Sequence, residues 1–247
     1  MEDEIEKLKK ENELLKKINE NKSDTISITA HQLRTSLSVL KWIFRMFISE
    51  DVGKLTNKQN ELAQKAYTSS ERMLALVNDL LTLSYTEDAS ISYNLEKIDI
   101  LHLVEQTIFE FSEETNKKGI NLTFLRPDTQ TPMVNCDENM IRVVLQNLIE
   151  NAIKYSNEGG QVFVSIKQKE SDLQISVHDS GIGIKDEDKN SIFKKFFRAE
   201  NALEKDNIGS GLGLFTTKSI IEKHNGRIWF ENTPEDGTTF LFSLPIY

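Results

Sequence analysis

The sequence has little of what would place it in an oxidising compartment, within a membrane or on a nucleic acid. One cysteine, Cys136, stands among 247 residues, which excludes an internal disulfide framework and suits a reducing compartment. No run approaches the roughly 20 apolar residues that a membrane helix needs, and the charged N-terminus is unlike a secretory signal. The net charge of −9 disfavours a general nucleic-acid surface. We therefore expect a cytoplasmic chain with no nucleic-acid partner and no membrane segment of its own.

Residues 2–22 also lack glycine and proline, and they are rich in Glu, Lys, Leu and Asn. Four apolar or amide positions form a short heptad pattern with an asparagine at an a-type position. They are Ile5, Leu8, Asn12 and Leu15. Such an asparagine favours a two-stranded parallel coiled coil, and the alternative is a solvated single helix. We predict a coiled-coil helix over residues 1–23.

The stretch 28–47 predicts a helix, because apolar side chains recur along one face at three- and four-residue spacing. They are Leu33, Leu37, Leu40, Phe44 and Phe47. His31 stands near the beginning of this stretch, beside the apolar stripe, where its ring can keep a nitrogen in water. A lone histidine on a helix flank is ordinary surface in most proteins, so its meaning depends on the rest of the chain.

A second helix is predicted after a stop at Gly53, where Thr56 and Gln59 have the spacing of a capping box. Two antiparallel helices joined by a short turn cannot bury both of their apolar stripes alone. A second copy of the hairpin would complete a four-helix bundle. We therefore predict a helical hairpin over residues 24–91 and a homodimer.

After a polar joint at 88–93 the pattern changes, which predicts a separate mixed domain over 94–247. Helices are predicted at 99–115, 138–155 and 212–224, with a short aromatic helix or turn at 191–197 and a polar, mobile segment at 199–210. Strands are predicted at 120–125, 133–136, 162–168, 173–177, 227–231 and 238–244. The predicted fold class is α+β, with an N-terminal helical hairpin that forms a dimeric four-helix bundle, followed by an α/β sandwich.

The first candidate site is the segment Asn-Leu-Ile-Glu-Asn-Ala-Ile-Lys-Tyr, which ends at Tyr155. Asn147 and Asn151 lie four residues apart and therefore share a helix face. Amides on a mostly apolar helix are costly unless they have partners, so the pair indicates a polar ligand or a metal, or else caps on neighbouring loops. An amide oxygen suits Mg²⁺, which would arrive with phosphates, and Lys154 would pair with those phosphates.

The second candidate site is Asp-Ser-Gly-Ile-Gly-Ile at 179–184, directly after a predicted strand. Gly181 and Gly183 would let the backbone approach a flat or charged ligand. Asp179 could accept a hydrogen bond from an exocyclic amine such as that of adenine. Alone, this pattern is more often a plain turn.

The third candidate site is Gly-Ser-Gly-Leu-Gly-Leu at 209–214, which leads into a predicted helix and could form a phosphate cradle. It is neither a dinucleotide fingerprint nor a Walker loop, because the required strand, third glycine and Gly-Lys-Ser/Thr are missing. Between the glycine-rich segments lies Phe-Lys-Lys-Phe-Phe-Arg at 193–198. Its aromatic residues favour a core role, and Arg198 could be a bidentate phosphate donor or a solvated side chain.

Asn/Asn/Lys, then Asp-x-Gly-x-Gly, then an aromatic segment with arginine, then Gly-x-Gly-x-Gly follow one another within a single mixed domain. This order resembles the nucleotide-binding domain of sensor histidine kinases, within the wider GHKL ATPase group. His-Gln-Leu-Arg-Thr, which begins at His31, resembles the phosphoacceptor box of that family, usually His-Glu-Leu-Arg-Thr-Pro. The resemblance extends over nearly the whole chain after residue 24. It implies an enzyme, a protein-histidine kinase that uses ATP and Mg²⁺.

The resemblance implies a role for each matching residue. Asn151 would hold Mg²⁺ on the ATP phosphates beside Asn147, Lys154 would contact phosphate, Tyr155 would cover the nucleotide, and Asp179 would read the adenine amine. Gly181 and Gly183 would line the base pocket, and Arg198 would help to neutralise the γ-phosphate. Residues 199–210 would form a flexible lid over ATP. The nucleotide-binding residues at the end of this lid, which would let it pass near the phosphates, are Gly209, Gly211, Leu212 and Gly213.

By the same resemblance, His31 would accept the phosphoryl group as a neutral imidazole and pass it to an aspartate on the receiver domain of a response regulator. The chain would then be a cytoplasmic kinase or the soluble portion of a longer, membrane-anchored sensor.

Two positions depart from the family pattern. Gln32 replaces an acidic residue thought to orient the ring or take its proton, and an amide is no useful base. Ser36 replaces a proline that would kink the helix, which predicts a straighter first helix. Thr35 matches a position that the family uses to place water for dephosphorylating the regulator, so a phosphatase activity is a second expectation.

Two alternatives come from other classes of protein. A degenerate signalling scaffold would bind ATP or a regulator without transferring phosphate, and Gln32 motivates it. A GHKL-type ATPase would hydrolyse ATP for a conformational cycle, with Glu150 as the acid that activates water.

Overall fold

The computed structural model describes residues 2–87, 93–205, 209–233 and 237–246. The chain divides into two units, a helical one at the N-terminal end and a larger one that begins at Tyr93. Apart from Tyr93, the predicted joint at 88–93 lies outside the described residues. In the ranges that are described, no helix combines the length and the apolar character needed to cross a bilayer.

Two long helices form the N-terminal unit, α1 (Glu2–Ile48) and α2 (Asn57–Glu87). α1 continues through Ser36, whose hydroxyl donates a hydrogen bond to the carbonyl of Gln32 at 3.1 Å. The capping box at the start of α2 is confirmed. The backbone N–H of Thr56 donates to Oε1 of Gln59 at 2.9 Å, and the backbone N–H of Gln59 donates to Oγ1 of Thr56 at 3.4 Å.

Between α1 and α2, few of the described side chains are fully buried. Ala30, Leu37 and Val77 form the buried cluster there. Several other large apolar side chains of the two helices remain more than a third exposed in the single chain: Leu33, Leu40, Phe47, Leu76 and Leu80. A single hairpin therefore leaves a substantial part of this apolar surface uncovered. The backbone of the predicted coiled-coil segment is helical, but the side chains of its heptad pattern lie outside the described part.

A five-stranded mixed sheet in the order β2-β4-β5-β7-β6 forms the larger unit. β2 (Asn121–Leu125) and β4 (Gln161–Lys169) are parallel, and the remaining neighbours in this sheet pair in antiparallel fashion. The other strands are β1 (Glu96–Ile98), β3 (Val134–Cys136), β5 (Asp172–Asp179), β6 (Arg227–Thr233) and β7 (Gly237–Pro245). β1 and β3 form a separate antiparallel pair.

Helices α3 (Ile100–Glu110), α4 (Ser112–Lys118), α5 (Glu138–Tyr155), α6 (Glu200–Lys205) and α7 (Gly213–Lys223) complete the larger unit. α5 begins and ends at the predicted residues, and Oδ1 of Asp137 caps it by accepting a hydrogen bond from the backbone N–H of Met140 at 3.1 Å. Its predicted apolar face is buried in the core: Ile141, Val144, Leu145, Leu148, Ile149 and Ile153.

Some predicted elements differ from the structure in detail. The predicted helix 99–115 is split at Phe111, which leaves the helical conformation and packs against the core. Residues 191–197 form a series of turns, in which Phe196 has a left-handed φ of 62°. β1 was not predicted, because an alternation of three residues is too short to recognise.

The first described residues of the larger unit are fastened to both α5 and α7. His224 is buried at the end of α7, where its Nε2 accepts a hydrogen bond from the backbone N–H of Asp137 at 3.0 Å. Its Nδ1 lies 2.8 Å from the carbonyl oxygen of Ile220, to which it donates, so the ring must be neutral. Tyr93 stacks on this ring with centroids 5.0 Å apart, and the backbone N–H of Asn94 donates to Oδ2 of Asp137 at 3.0 Å.

We expect the larger unit to lose stability in mild acid because of His224. Burial lowers the pKa of His224 below its usual 6.5. The unfolded chain therefore takes the proton first, so the stabilisation is complete above about pH 6.5 and is lost as the pH falls further. Between pH 7 and pH 5, the free energy of unfolding should fall more in the wild type than in His224→Gln, which does not titrate.

Urea denaturation followed by the fluorescence of Trp229 measures this difference, with Trp42→Phe as the common background so that only the larger unit reports. The same pH dependence in both proteins would show that the ring is not held neutral by the fold.

Candidate functional site

The carboxyl end of β5 carries the most strongly perturbed carboxylate described in the structure. Asp179 is only 4% exposed, and burial raises its pKa to about 7. The backbone N–H groups of Gly181 and Thr238 and the charge of Lys205 act in the opposite direction and favour the ionised form. Near neutral pH, Asp179 therefore exists both as an ionised carboxylate, which only accepts hydrogen bonds, and as a neutral acid, which can also donate one.

The turn after Asp179 packs directly against the end of α5. A Cβ at Gly181 would lie 2.3 Å from the carbonyl oxygen of Tyr155 and 2.5 Å from Oδ1 of Asp179, so only glycine fits. Ser156 and Gly181 form an antiparallel bridge. The segments predicted as the first and second candidate sites therefore meet at this point, with Tyr155 beside Asp179.

A polar residue that the sequence did not single out holds the other end of this turn. Oδ1 of Asn232 accepts a hydrogen bond from the backbone N–H of Ile184 at 3.1 Å, and its Nδ2 donates to the carbonyl of the same residue at 2.6 Å. Gly183 stands just before this clamp with a left-handed φ of 66°. The clamp comes from β6, so only the folded sheet brings it to the turn.

α6, within the polar segment 199–210, lies against the same turn. Nδ2 of Asn201 donates to the carbonyl of Gly183 at 3.3 Å. Nζ of Lys205 donates to the carbonyl of Tyr155 at 2.7 Å and to Oδ1 of Asn157 at 3.1 Å. The four-residue spacing of Asn201 and Lys205 on one helix was a signal in the sequence, but the segment was interpreted as polar and mobile, and by resemblance as a lid, with neither residue singled out. Positions 206–208 lie outside the described residues.

The two candidate asparagines on α5, Asn147 and Asn151, have different environments. Nδ2 of Asn147 lies 3.4 Å from Oγ1 of Thr217 and 3.5 Å from the carbonyl of Gly213, and these long contacts tie it to α7. Asn151 is half-buried one turn later, and within the described residues its side chain has no hydrogen-bond partner. Lys154 follows on the same helix, with Nζ 5.5 Å from the ring centroid of Tyr155.

The glycine-rich segment leads into α7 as predicted. Gly211 has a left-handed φ of 74°, and a Cβ there would lie 2.7 Å from the backbone of Phe196, so this glycine permits a close approach. Leu212 is 2% exposed, which leaves only its backbone to face a ligand. Gly213 begins α7, whereas Gly209 is half-buried two residues before Gly211.

The aromatic segment is divided between core and surface. Phe193 packs on Phe230 and Phe240 with ring centroids 6.4 and 6.5 Å away, as expected for a core residue. Phe196 is 65% exposed, so the expectation of a core role is wrong for this residue. Arg198 is half-buried just before α6.

A buried hydroxyl beside Asp179 has no partner in the described part of the chain. Oγ of Ser156 is sealed from solvent next to Gly181, and Oδ1 of Asn201, in the helix that lies on this turn, is in the same condition. Buried polar atoms are nearly always hydrogen-bonded, so such atoms indicate a place for a polar ligand or water. Among the described residues, no group of three or more His, Cys, Asp or Glu side chains could hold a metal.

In the N-terminal unit, His31 is exposed on α1. The hydroxyl of Thr35 donates to the carbonyl of His31 at 3.0 Å, which orients the threonine side chain one turn after the histidine. Gln32 is exposed at the next position. The imidazole is therefore accessible on a helix surface, as the sequence predicted.

Two protein-family models match the chain. The one described as "His Kinase A (phospho-acceptor) domain" matches residues 21–89. The one described as "Histidine kinase-, DNA gyrase B-, and HSP90-like ATPase" matches residues 136–247. Together they contain His31 and all the glycine-rich and asparagine segments described above.

Several proteins that are similar to this chain are named kinases. The adaptive-response sensory kinase SasA of Crocosphaera subtropica is 32% identical over 99% of this chain and 65% of its own length. Full-length ShkA in complex with AMPPNP is 26% identical over 90% of this chain and 45% of its own, with a TM-score of 0.71.

Histidine kinase ThkA is similar in two structures. Its catalytic domain is 32% identical with a TM-score of 0.56, and the similarity covers 62% of this chain and 96% of that domain. Its complex with response regulator protein TrrA gives 25% identity and a TM-score of 0.64 over 91% of this chain and 61% of that one.

The chain spans less than two thirds of the length of the curated relatives that it matches, from 65% of SasA to 29% of a Caulobacter relative. The two family models nevertheless follow one another along it, and the ThkA catalytic domain is matched almost from end to end. This chain therefore belongs to the sensor histidine kinase family of two-component systems.

Proposed function

We propose that this chain is an ATP-dependent, autophosphorylating protein-histidine kinase. It transfers the γ-phosphoryl group of ATP to His31 and then to an aspartate on the receiver domain of a response regulator. The observation that carries the proposal is the arrangement at the end of α5, where buried Asp179 and Gly181 meet the hydroxyl of Ser156, which has no partner among the described residues. Two similar proteins form complexes of these kinds: ThkA with response regulator protein TrrA, and ShkA with AMPPNP.

The base of ATP fits the polar groups at the end of β5. The ionised carboxylate of Asp179 accepts a hydrogen bond from the adenine amine, and the hydroxyl of Ser156 gains the partner that it lacks within the described residues. Gly181 and Gly183 keep the floor of the pocket free of side chains, so a flat ring can approach the backbone. α6 forms part of the lid, since Asn201 and Lys205 already lie against this turn.

The phosphates fit the helix ends beside the pocket. Asn151 offers an amide oxygen that no described side chain occupies, and this oxygen would hold Mg²⁺. The metal would neutralise charge on the phosphates. Lys154 and Arg198 supply positive charge, and the N-terminus of α7 at Gly213 presents backbone N–H groups. Asn147 acts by tying α5 to α7 rather than as a second ligand.

In the proposed transfer step, the imidazole of His31 accepts the γ-phosphoryl group of ATP. An imidazole nitrogen uses its lone pair to attack the γ-phosphorus, the bond from phosphorus to the bridging oxygen breaks, and ADP leaves with that electron pair. The proton on the other ring nitrogen then has to depart. Gln32 offers an amide rather than a base, so water takes this proton.

Two further properties belong to the same proposal. Exposed apolar side chains along both hairpin helices, such as Leu40 and Leu76, would be buried by a second copy in a four-helix bundle, which makes the chain a homodimer. The hydroxyl of Thr35 donates to the carbonyl of His31, so its lone pairs face outward and can accept a hydrogen bond from water. A water held there would support dephosphorylation of the regulator.

The test of the kinase assignment is His31→Ala. The wild type incubated with Mg²⁺ and γ-labelled ATP should form an acid-labile phosphoprotein, and the variant should form none, because the acceptor nitrogen is gone. His102→Ala, which changes an exposed histidine of α3 in the larger unit, is the matched control and should label normally. Label that survives in His31→Ala would contradict the assignment.

Nucleotide affinity should depend on the protonation of Asp179. Because burial raises the pKa of Asp179 to about 7, the acceptor carboxylate dominates at pH 8 and the neutral acid at pH 6. The dissociation constant for ADP, measured by calorimetry, should therefore rise as the pH falls. Asp179→Asn should bind roughly tenfold or more weakly at pH 8, since a hydrogen bond to a charged group is lost.

In Asp179→Asn the pH dependence should shrink to the part that the ADP phosphates contribute themselves. Asp172→Asn, at the opposite end of β5, is the matched control and should behave as the wild type does. Equal affinities at the two pH values in the wild type would show that Asp179 does not contact the base.

The amide at position 32 should limit the rate of phosphorylation. Gln32→Glu restores a base beside His31 and should raise the initial rate of labelling by about a hundredfold at saturating ATP, at the lower end of the usual range for general base catalysis. Gln32→Ala removes the amide without adding a base and should give no gain. If the two variants label at the same rate, removal of the ring proton is not limiting.

A further inference from the structure

The guanidinium of Arg34 is held by the opposite helix of the hairpin. Its Nε and Nη2 donate to the same oxygen, Oδ1 of Asn78 on α2, at 3.1 and 2.8 Å. Two hydrogen bonds from one edge of a planar group to one acceptor fix the direction of that plane. The N–H groups of Nη1 are not used by this contact.

Arg34 lies one helical turn after His31. Residues three apart on a helix are neighbours on one face, so the guanidinium and the imidazole share the same side of α1. Both side chains are exposed. The contact with Asn78 therefore anchors a cation beside the phosphoacceptor rather than at an unrelated place on the hairpin.

The partner of Arg34 is a neutral amide, which distinguishes this contact from an ordinary surface ion pair. Within the described residues, no carboxylate lies within ion-pair distance of Arg34, whereas Lys41, two turns further along α1, pairs with Glu71 at 2.8 Å. An amide orients a guanidinium without cancelling its charge. The positive charge of Arg34 thus remains available to an anion that arrives on His31.

We propose that Arg34 binds the phosphoryl oxygens of phosphorylated His31 and that Asn78 is the positioning residue that aims its guanidinium. A phosphoryl group brings nearly two negative charges and three acceptor oxygens, which match the unused N–H groups of an arginine. The inference deepens the proposed function, because it rests on His31 as the acceptor. Neither residue belongs to the nucleotide pocket.

The experiment loads the phosphoryl group without ATP. Phosphoramidate phosphorylates exposed histidines directly, and ³¹P NMR then follows the titration of the phosphoryl group in the full-length chain. His31→Ala identifies the resonance of position 31. A nearby guanidinium stabilises the dianion, so the titration midpoint in the wild type should lie about half a pH unit below that in Arg34→Gln, as expected for a partly exposed ion pair.

Further variants separate positioning from charge. Asn78→Ala should move the midpoint part of the way towards the Arg34→Gln value, because the guanidinium is present but no longer aimed. Arg34→Lys should also recover only part of the effect, since it restores charge without the planar fork. Arg45→Gln, in the last turn of the same helix, is the matched control and should leave the midpoint unchanged.

The outcomes distinguish this inference from the proposed kinase activity. Equal midpoints in the wild type and Arg34→Gln would overturn the inference, and so would a failure of phosphoramidate to phosphorylate His31 at all. A change in the thermal melting of the hairpin without a change in the midpoint would mean that the Arg34–Asn78 contact only joins the helices. If the midpoint differs between the wild type and Arg34→Gln but the wild type takes no label from ATP, the inference stands and only the proposed kinase activity is contradicted.

Discussion

The approach of the Gly181 backbone to the carbonyl of Tyr155 is the constraint on which the site in the larger unit depends. It joins the end of α5 to the end of β5 with no room for even a methyl group. Asp179 is buried by this contact, and the same carbonyl of Tyr155 receives the ammonium of Lys205 from α6. The ends of α5 and β5 and the helix α6 therefore meet at one peptide group, and the burial of Asp179 beside it raises the pKa of that carboxyl group.

Local chemistry explains which elements could be predicted from the sequence. α5 was predicted from end to end because its apolar residues have a strong helical period, and the start of α2 because Thr56 and Gln59 have the spacing of a capping box. The break at Phe111 was missed because a helical period continues across it. Asn232, near the end of β6, and Asn201, in the short helix α6, were missed because such polar residues acquire their roles only from distant partners.

The candidate site illustrates the same division between local pattern and tertiary contact. Four-residue spacing placed Asn147 and Asn151 on one face and gave no reason to separate them. Only the packing of α7 against α5 engages Asn147, whereas Asn151 has no hydrogen-bond partner in the part of the chain that the structure describes. Arg34 stood in a motif that the sequence had already singled out, but its importance depends on Asn78, which lies 44 residues further along the chain.

The contacts around His224 have a mechanical consequence. The chain enters the larger unit through Tyr93 and Asn94. Asn94 binds Asp137, the N-cap of α5, and Tyr93 stacks on His224, which accepts a hydrogen bond from the backbone of Asp137. α5 has 18 residues, so it is a rod about 27 Å long whose far end abuts the turn at Gly181. Tension in the chain ahead of Tyr93 would thus act on one end of this rod and be felt at the other, beside Asn151 and Tyr155.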